Sequence, residues 1–295
     1  MTNTLTATKD SQVPASMRIA VTGGVGLLGH AIIQELLDYG HRPICIDLRR
    51  PEPNAWQQPC PDRVVDLTDL GQTYGALREV DAVIHCAAIP WAGVYPAEVV
   101  FRTNCLSHFN VLQASASLGI RKVVTTSSIQ AVIRLHTERP ASPLYFPVDE
   151  EHPCCPDTEY GLSKEAGEAA NRMFHRQYGI QTASIRLPGV WRVDQVCLPR
   201  ITDEQRQVRN FWSHIDPRDA AQCFRLAVES NAFESEIFNA CADDTAAITP
   251  SSELLNRHFQ GTEVRQPLDG FAALFSNTKA RRLLGFMPRH HCTRS

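Results

Sequence analysis

The chain has 295 residues, 43% of them hydrophobic and 21% charged, which is enough apolar content for a sizeable core and excludes a mainly disordered protein. Its 29 Lys and Arg stand against 32 Asp and Glu, a net charge of -3 without a basic block. That balance gives no electrostatic case for nucleic acid or an anionic membrane as the main partner. No apolar run approaches the ~18 residues of a membrane-spanning helix. Residues 1–16, MTNTLTATKDSQVPAS, are polar, lack the apolar core of a secretory signal and read as a disordered tail. The ten cysteines are scattered with no CxxC pair, several of them inside apolar runs. They read as reduced thiols of a cytoplasmic protein, with no metal site expected.

From Met17 onward strands and helices alternate. Arg18 to Val21 is a short apolar run that meets a glycine-rich turn, and Leu27 to Tyr39 then shows helical periodicity closed by Gly40. Further strand patterns follow at Pro43 to Ile46, Arg63 to Val65, Asp81 to Cys86, Lys122 to Thr126 and Gln181 to Leu187, with a helix over Glu98 to Leu118. This rhythm predicts βαβ units and an α/β, doubly wound parallel sheet of Rossmann-like type. After Pro188 the rhythm breaks. Arg192 to Asn210 is charged and aperiodic, followed by a helix over Ala220 to Glu229, a strand over Glu236 to Ala240 and a helix over Ser251 to Phe259. The expected organisation is a dinucleotide-binding domain over 17–188 and a smaller substrate lobe over 189–295, part of which returns to the main sheet.

The first turn reads Thr22-Gly23-Gly24-Val25-Gly26-Leu27-Leu28-Gly29, with GxGxxG at Gly24, Gly26 and Gly29 between a strand and a helix. The glycines allow a tight turn, a close backbone approach to a pyrophosphate and close packing of helix on strand. The helix N-terminus adds free N–H groups and a positive dipole end. Asp47 ends the next strand about 20 residues on, where a carboxylate binds ribose hydroxyls and repels a 2'-phosphate. NAD is therefore expected, with NADP left open by Arg49 and Arg50.

Tyr160 and Lys164 lie four residues apart on a helical stretch, hence on one face. A tyrosine with a pKa near ~10 becomes a usable base when a cation favours its phenolate. The cluster Thr125-Thr126-Ser127-Ser128 supplies hydroxyls at the end of the fifth strand, where ligands sit in open parallel sheets.

With these motifs in order, the chain resembles the extended short-chain dehydrogenase/reductase family, also called the NAD-dependent epimerase/dehydratase family. The resemblance extends from Met17 to Pro288 and includes Asp66-Leu67, His85-Cys86-Ala87-Ala88, Asn104, Arg186-Leu187-Pro188 and the segment from His214 to Ala220. It implies Tyr160 as acid/base, Lys164 as ligand of the nicotinamide ribose, and Ser128 as catalytic hydroxyl with Ser127 as its fallback. It also implies Asp66 and Leu67 at the adenine, Ala87 and Ala88 close to the cofactor, Asn104 as an ordering residue of the cofactor site, and a homodimer through two helices of the main domain. Family dehydratases follow the catalytic hydroxyl with Asp-Glu, whereas Ile129 and Gln130 stand here. Family nucleotide-sugar epimerases carry an Asn where this chain has Gly189. The expected activity is hydride transfer at a secondary alcohol or carbonyl of a sugar or sugar acid. Arg192, Arg200, Arg206 and Arg209 are candidates to recognise an anionic substrate. A UDP-sugar epimerase with tightly bound NAD and a non-catalytic NAD(P)-binding sensor are the alternatives.

Overall fold

A computed structural model describes residues 16–292, except 94, 134, 136–139 and 196–203. The tail 1–15, Cys197 and Arg200 lie outside the described residues. The chain runs β1 (Arg18–Thr22), α1 (Leu27–Asp38), β2 (Arg42–Asp47), β3 (Asp62–Val64), α2 (Leu70–Ala76), β4 (Ala82–His85), α3 (Ala97–Leu118), β5 (Lys122–Ser128) and β6 (Tyr145–Phe146). It continues with α4 (Glu159–Tyr178), β7 (Gln181–Leu187), β8 (Gly189–Val190), α5 (Glu204–Gln207), β9 (His214–Ile215) and α6 (Pro217–Glu229). The last elements are β10 (Ser235–Asn239), α7 (Ser251–His258), β11 (Glu263–Val264) and α8 (Thr278–Leu284).

Seven strands form one sheet in the order β10-β7-β5-β4-β1-β2-β3, and every pairing is parallel. Parallel strands need crossovers, so helices cover both faces and the strands are buried on both sides. All four residues of β4 are buried. On α1 the buried positions are Gly29, Ile32, Ile33, Leu36 and Leu37, the spacing of a single helical face. That face joins Ile19 and Val21 of the sheet, Phe224 and Val228 of α6, and Phe286 in one core layer. Each fully buried aliphatic side chain contributes roughly 1.5–3 kcal/mol to such a layer. Ala20, Ile44 and Val83 point to the opposite face, where Val111 and Leu112 of α3 and Phe174 of α4 form the second layer.

The sequence from 189 onward contributes both to the main sheet and to a separate core cluster. Strand β10 completes the sheet edge beside β7, and α6 packs into the first core layer. A third cluster, around Phe146, Phe211, Trp212, Phe259 and Phe275, is separate. Its rings meet edge to face, with Phe146 centroids 5.2 Å from Phe211 and 5.1 Å from Phe259. The C-terminal ends of β1, β4, β5 and β7 lie side by side, because Thr22 pairs with His85, His85 with Thr125, and Ser128 with Leu187. Ser128 stands at that end of the sheet, and Lys164 of α4 reaches it through the Thr126 carbonyl.

Candidate active site

The turn after β1 is built by close approach. Gly23 has φ +69°, and a Cβ there would stand 2.7 Å from the Ala87 nitrogen. A Cβ on Gly29 would stand 2.2 Å from the Gly23 carbonyl oxygen, so α1 packs directly on the turn. Gly26, at the start of α1, provides no side-chain cap, which leaves the first N–H groups of the helix for a ligand. Asp47 Oδ2 accepts a hydrogen bond from the Val25 N–H at 3.1 Å, so the acid at the end of β2 touches the glycine turn. Together these residues make a cradle whose inner surface is backbone, and its close approach fits the pyrophosphate of a dinucleotide.

Thr22 ties this cradle to the loop after β4. Its Oγ1 accepts from the N–H groups of Cys86 and Ala87, both at 3.2 Å, so its own proton goes to His85 Nδ1 at 2.8 Å. His85 is thereby assigned as the tautomer protonated at Nε2. Ala87 and Ala88 follow directly and are partly buried. Asn104 holds the next turn: its Oδ1 accepts from Ile89 N at 2.8 Å, and its Nδ2 donates to Ile89 O and to Ser163 Oγ. The Asn104 amide is thus engaged with protein and ties the β4–α3 loop to α4. Asp66 Oδ1 accepts from the Thr68 N–H and hydroxyl, while the Leu67 carbonyl accepts from Thr73 and Asn110, which fixes the loop after β3.

Helix α4 starts one residue before Tyr160, with Thr158 Oγ1 accepting the Gly161 N–H at 3.0 Å as an N-cap. Tyr160, Lys164, Glu168 and Asn171 are all buried along one face of it. Lys164 Nζ lies 5.5 Å from the Tyr160 ring centre and donates to the Thr126 carbonyl at 3.0 Å. Ser128 interacts with the Tyr160 phenol and opposes the rise of its pKa. The two serines ending β5 point to opposite sides, as alternation in a strand requires. Ser127 donates to Glu168 Oε1 at 2.7 Å, while Ser128 faces Tyr160.

Burial dominates the electrostatics. It pushes the Tyr160 phenol up to about 12, with Ser128 pulling the other way. It lowers the Lys164 amine to about 8. The ammonium is expected to lower the tyrosine, but desolvation of the phenolate sets the direction here. Beneath Lys164 lies a polar layer absent from the sequence-based reading. His108 Nε2 donates to Asn171 Oδ1 at 3.0 Å, since the Asn171 Nδ2 is committed to Thr125 and Ser184. The His85 and His108 rings meet edge to face at 5.3 Å. Burial holds His85 well below the ordinary histidine range, with His108 and Lys164 adding to this, and it lowers His108 to about 4.

Glu168 and Arg186 are the other residues whose role sequence reasoning missed. Arg186 Nε and Nη2 donate to the two Glu168 oxygens at 2.7 and 2.8 Å, and both side chains are 1% exposed. The continued four-residue spacing Tyr160, Lys164, Glu168 was the available signal.

The model of the NAD-dependent epimerase/dehydratase family matches residues 19–191. A putative UDP-glucose 4-epimerase of Methanocaldococcus jannaschii is 32% identical over 182 residues, 59% of this chain and 56% of that protein. A uronate dehydrogenase of Pseudomonas syringae pv. tomato is 28% identical over 170 residues, 58% of each chain. This chain thus spans less than two thirds of the length of both relatives. A short-chain dehydrogenase/reductase superfamily protein from Agrobacterium tumefaciens, solved with bound NAD, superposes with a TM-score of 0.70 at 23% identity over 93% of both chains, a likeness of fold.

The buried histidines make the site acid-labile. A histidine near ~6.5 when unfolded and neutral when folded takes up its proton only on unfolding, so stability is full above that pH and falls below it. The slope is about 1.4 kcal/mol per pH unit per histidine. Thermal melts should therefore fall between pH 6.5 and 5, and fall less in His108→Gln. A melting temperature flat across that range contradicts this assignment.

Proposed function

The chain belongs to the NAD-dependent epimerase/dehydratase family, and we propose from this that it is an NAD-dependent dehydrogenase acting on a secondary alcohol of a sugar or sugar acid. The observation that carries the reading is the grouping of Tyr160, Ser128 and Lys164 at the sheet edge, next to the backbone cradle of Gly23 to Gly29. In this reading the cradle, including Gly24, Val25, Leu27 and Leu28, holds the pyrophosphate. Asp47 takes the adenosine ribose, Asp66 and Leu67 the adenine, and Lys164 the nicotinamide ribose. Asn104 keeps Ala87 and Ala88 in place through Ile89. Asp47 favours NAD over NADP, and Arg50 is already paired with Asp62 at 3.1 Å.

Tyr160 accepts the hydroxyl proton of the substrate, and Ser128 donates a hydrogen bond to the oxygen as charge develops on it. Lys164 contributes its positive charge beside the phenol. When bound, NAD supplies the hydride acceptor and a further positive charge that favours the phenolate. Among the arginines considered for an anionic substrate, Arg192 is held by Asp194 at 3.0 and 2.7 Å. Arg209 is exposed and has no ion pair among the described residues, so it is the one assigned to a substrate carboxylate. The 32%-identical epimerase relative favours a second reading, a UDP-sugar epimerase that returns the hydride and shows no net NADH.

We place residues 17–188 in the dinucleotide-binding unit and 189–295 in the substrate lobe, with β10 and α6 returning to the main layer. Among the described residues no helix is long and apolar enough to cross a membrane. A cytoplasmic location accords with the nine free cysteines described. A homodimer is proposed through α3 and α4, where Phe101, Leu106, Phe109 and Leu162 are exposed.

Reduction of NAD by a panel of sugars and uronic acids tests the reading. Tyr160→Phe should lower kcat by about 10³-fold, and the wild-type oxidation rate should climb from pH 6 to 8, because protonated Tyr160 accepts no proton. Wild-type protein that forms no NADH with any of them contradicts a dehydrogenase. Asp47→Asn should raise the KM for NAD by about tenfold and that for NADP by less; equal effects on both dismiss the ribose contact. Light scattering should give the mass of two chains for wild type and of one for Leu106→Glu, and a monomeric wild type dismisses the interface.

A further inference from the structure

Ser128 pairs with Leu187, and the chain then leaves the sheet beside the catalytic hydroxyl as Pro188, Gly189, Val190 and Trp191. The half-buried Trp191 ring folds back over Gly189. A Cβ at residue 189 would lie 2.1 Å from Trp191 Cζ3 and 2.9 Å from Cε3. The ring is not free to swing aside. His214, fully buried, stacks on it with centres 5.6 Å apart and planes at 24°. His214 is fixed in turn through Nε2 on Asp244 Oδ1 at 3.2 Å, and Asp244 accepts the Cys292 N–H at 3.2 Å.

The backbone of the segment is pinned as well. Trp191 N donates to Ile215 O at 3.2 Å, and Val193 N donates to Asp216 Oδ2 at 3.1 Å. The charges around it cancel locally. Arg192 makes two hydrogen bonds to Asp194, and Arg218 makes two to Asp216, at 2.7 and 2.8 Å. Four residues beyond the strand partner of Ser128, the chain therefore carries a flat, fixed indole. Residue 189 presents no polar group, and Arg192 and Arg218, the arginines beside this segment, are both engaged by aspartates.

We propose that Trp191 is the specificity-determining wall of the substrate site, a stacking surface for a single sugar ring that restricts the pocket to free monosaccharides or their acids and shuts out nucleotide-diphosphate sugars. A pyranose presents a face of C–H groups that packs on an aromatic plane. The inference rests on the dehydrogenase reading above and deepens it.

The test is steady-state kinetics and calorimetry on wild type, Trp191→Ala and Trp191→Phe, with the best monosaccharide of the panel, NAD, and UDP-glucose as the bulky probe. Trp191→Ala should raise the monosaccharide KM by about tenfold while leaving kcat and the NAD KM within about threefold, and Trp191→Phe should recover most of the loss. UDP-glucose should bind wild type no tighter than about 1 mM, and Trp191→Ala at least about tenfold tighter. An unchanged monosaccharide KM in Trp191→Ala overturns the proposal, as does micromolar binding of UDP-glucose to wild type. If no sugar yields NADH, the dehydrogenase reading fails by itself; UDP-glucose calorimetry on wild type and Trp191→Ala then still decides whether the wall exists. Melting curves of both variants show whether each is folded, and Trp191→Phe keeps the test in force if Trp191→Ala is not.

Discussion

Glu168 lies two helical turns beyond Tyr160 on α4, and its carboxylate is filled by Arg186 of β7 and Ser127 of β5. Taking two such charges out of water costs several kcal/mol per ion, and only good geometry with further hydrogen bonds offsets that cost. Burial opposes the Arg186 charge, yet the Glu168 hydrogen bonds outweigh it and hold the guanidinium above its usual range. The pair therefore acts as a rigid joint among three elements. With Glu168 fixed, Tyr160 and Lys164 are fixed on the same helix face. With Ser127 committed to Glu168, Ser128 must turn to the other side, toward Tyr160.

Around this joint the protein keeps a polar interior whose two histidines are neutral. His85 and His108 are denied protons by burial, and Lys164 sits near the pH at which it loses its own. Each of these groups has a defined partner: Thr22 for His85, Asn171 for His108 and the Thr126 carbonyl for Lys164. Gly167 belongs to the same arrangement, since a Cβ there would stand 2.8 Å from the His108 ring. A layer of this kind holds the loop ends of β1, β4 and β5 in register without strong fields that compete with a charged cofactor.

Much of this was legible in the sequence, and the reasons differ by element. Helix α1 announced itself because Gly29, Ile32, Ile33, Leu36 and Leu37 recur with helical period, and the observed Leu27–Asp38 differs from the expected span by one residue. Strand β7 was read at its observed bounds, being delimited by Gly179, which closes α4, and by Pro188. The serine cluster was legible only as a cluster; choosing Ser128 over Ser127 rested on the family resemblance, and strand alternation supplies a physical reason for it. The stretch from Arg192 to Asn210 gave no period; its described residues form only single turns, at Val193–Gln195, Glu204–Gln207 and Val208–Asn210. Phe211 and Trp212 adopt φ of 53° and 51°, conformations that no local propensity favours for large aromatic residues. The fold there is set by the aromatic cluster with Phe146 and Phe259, residues far away in the chain.

In the proposed reaction this end of the sheet moves a hydride from a sugar carbon to NAD, which then leaves as NADH. That transfer is tested most directly with a sugar bearing deuterium on the carbon of the reacting hydroxyl, followed by NMR of the cofactor and sugar after turnover. The account predicts deuterium at nicotinamide C4 of NADH free in solution, in step with oxidised sugar. Deuterium retained in the sugar, with inverted configuration at that carbon and no free NADH, would contradict it.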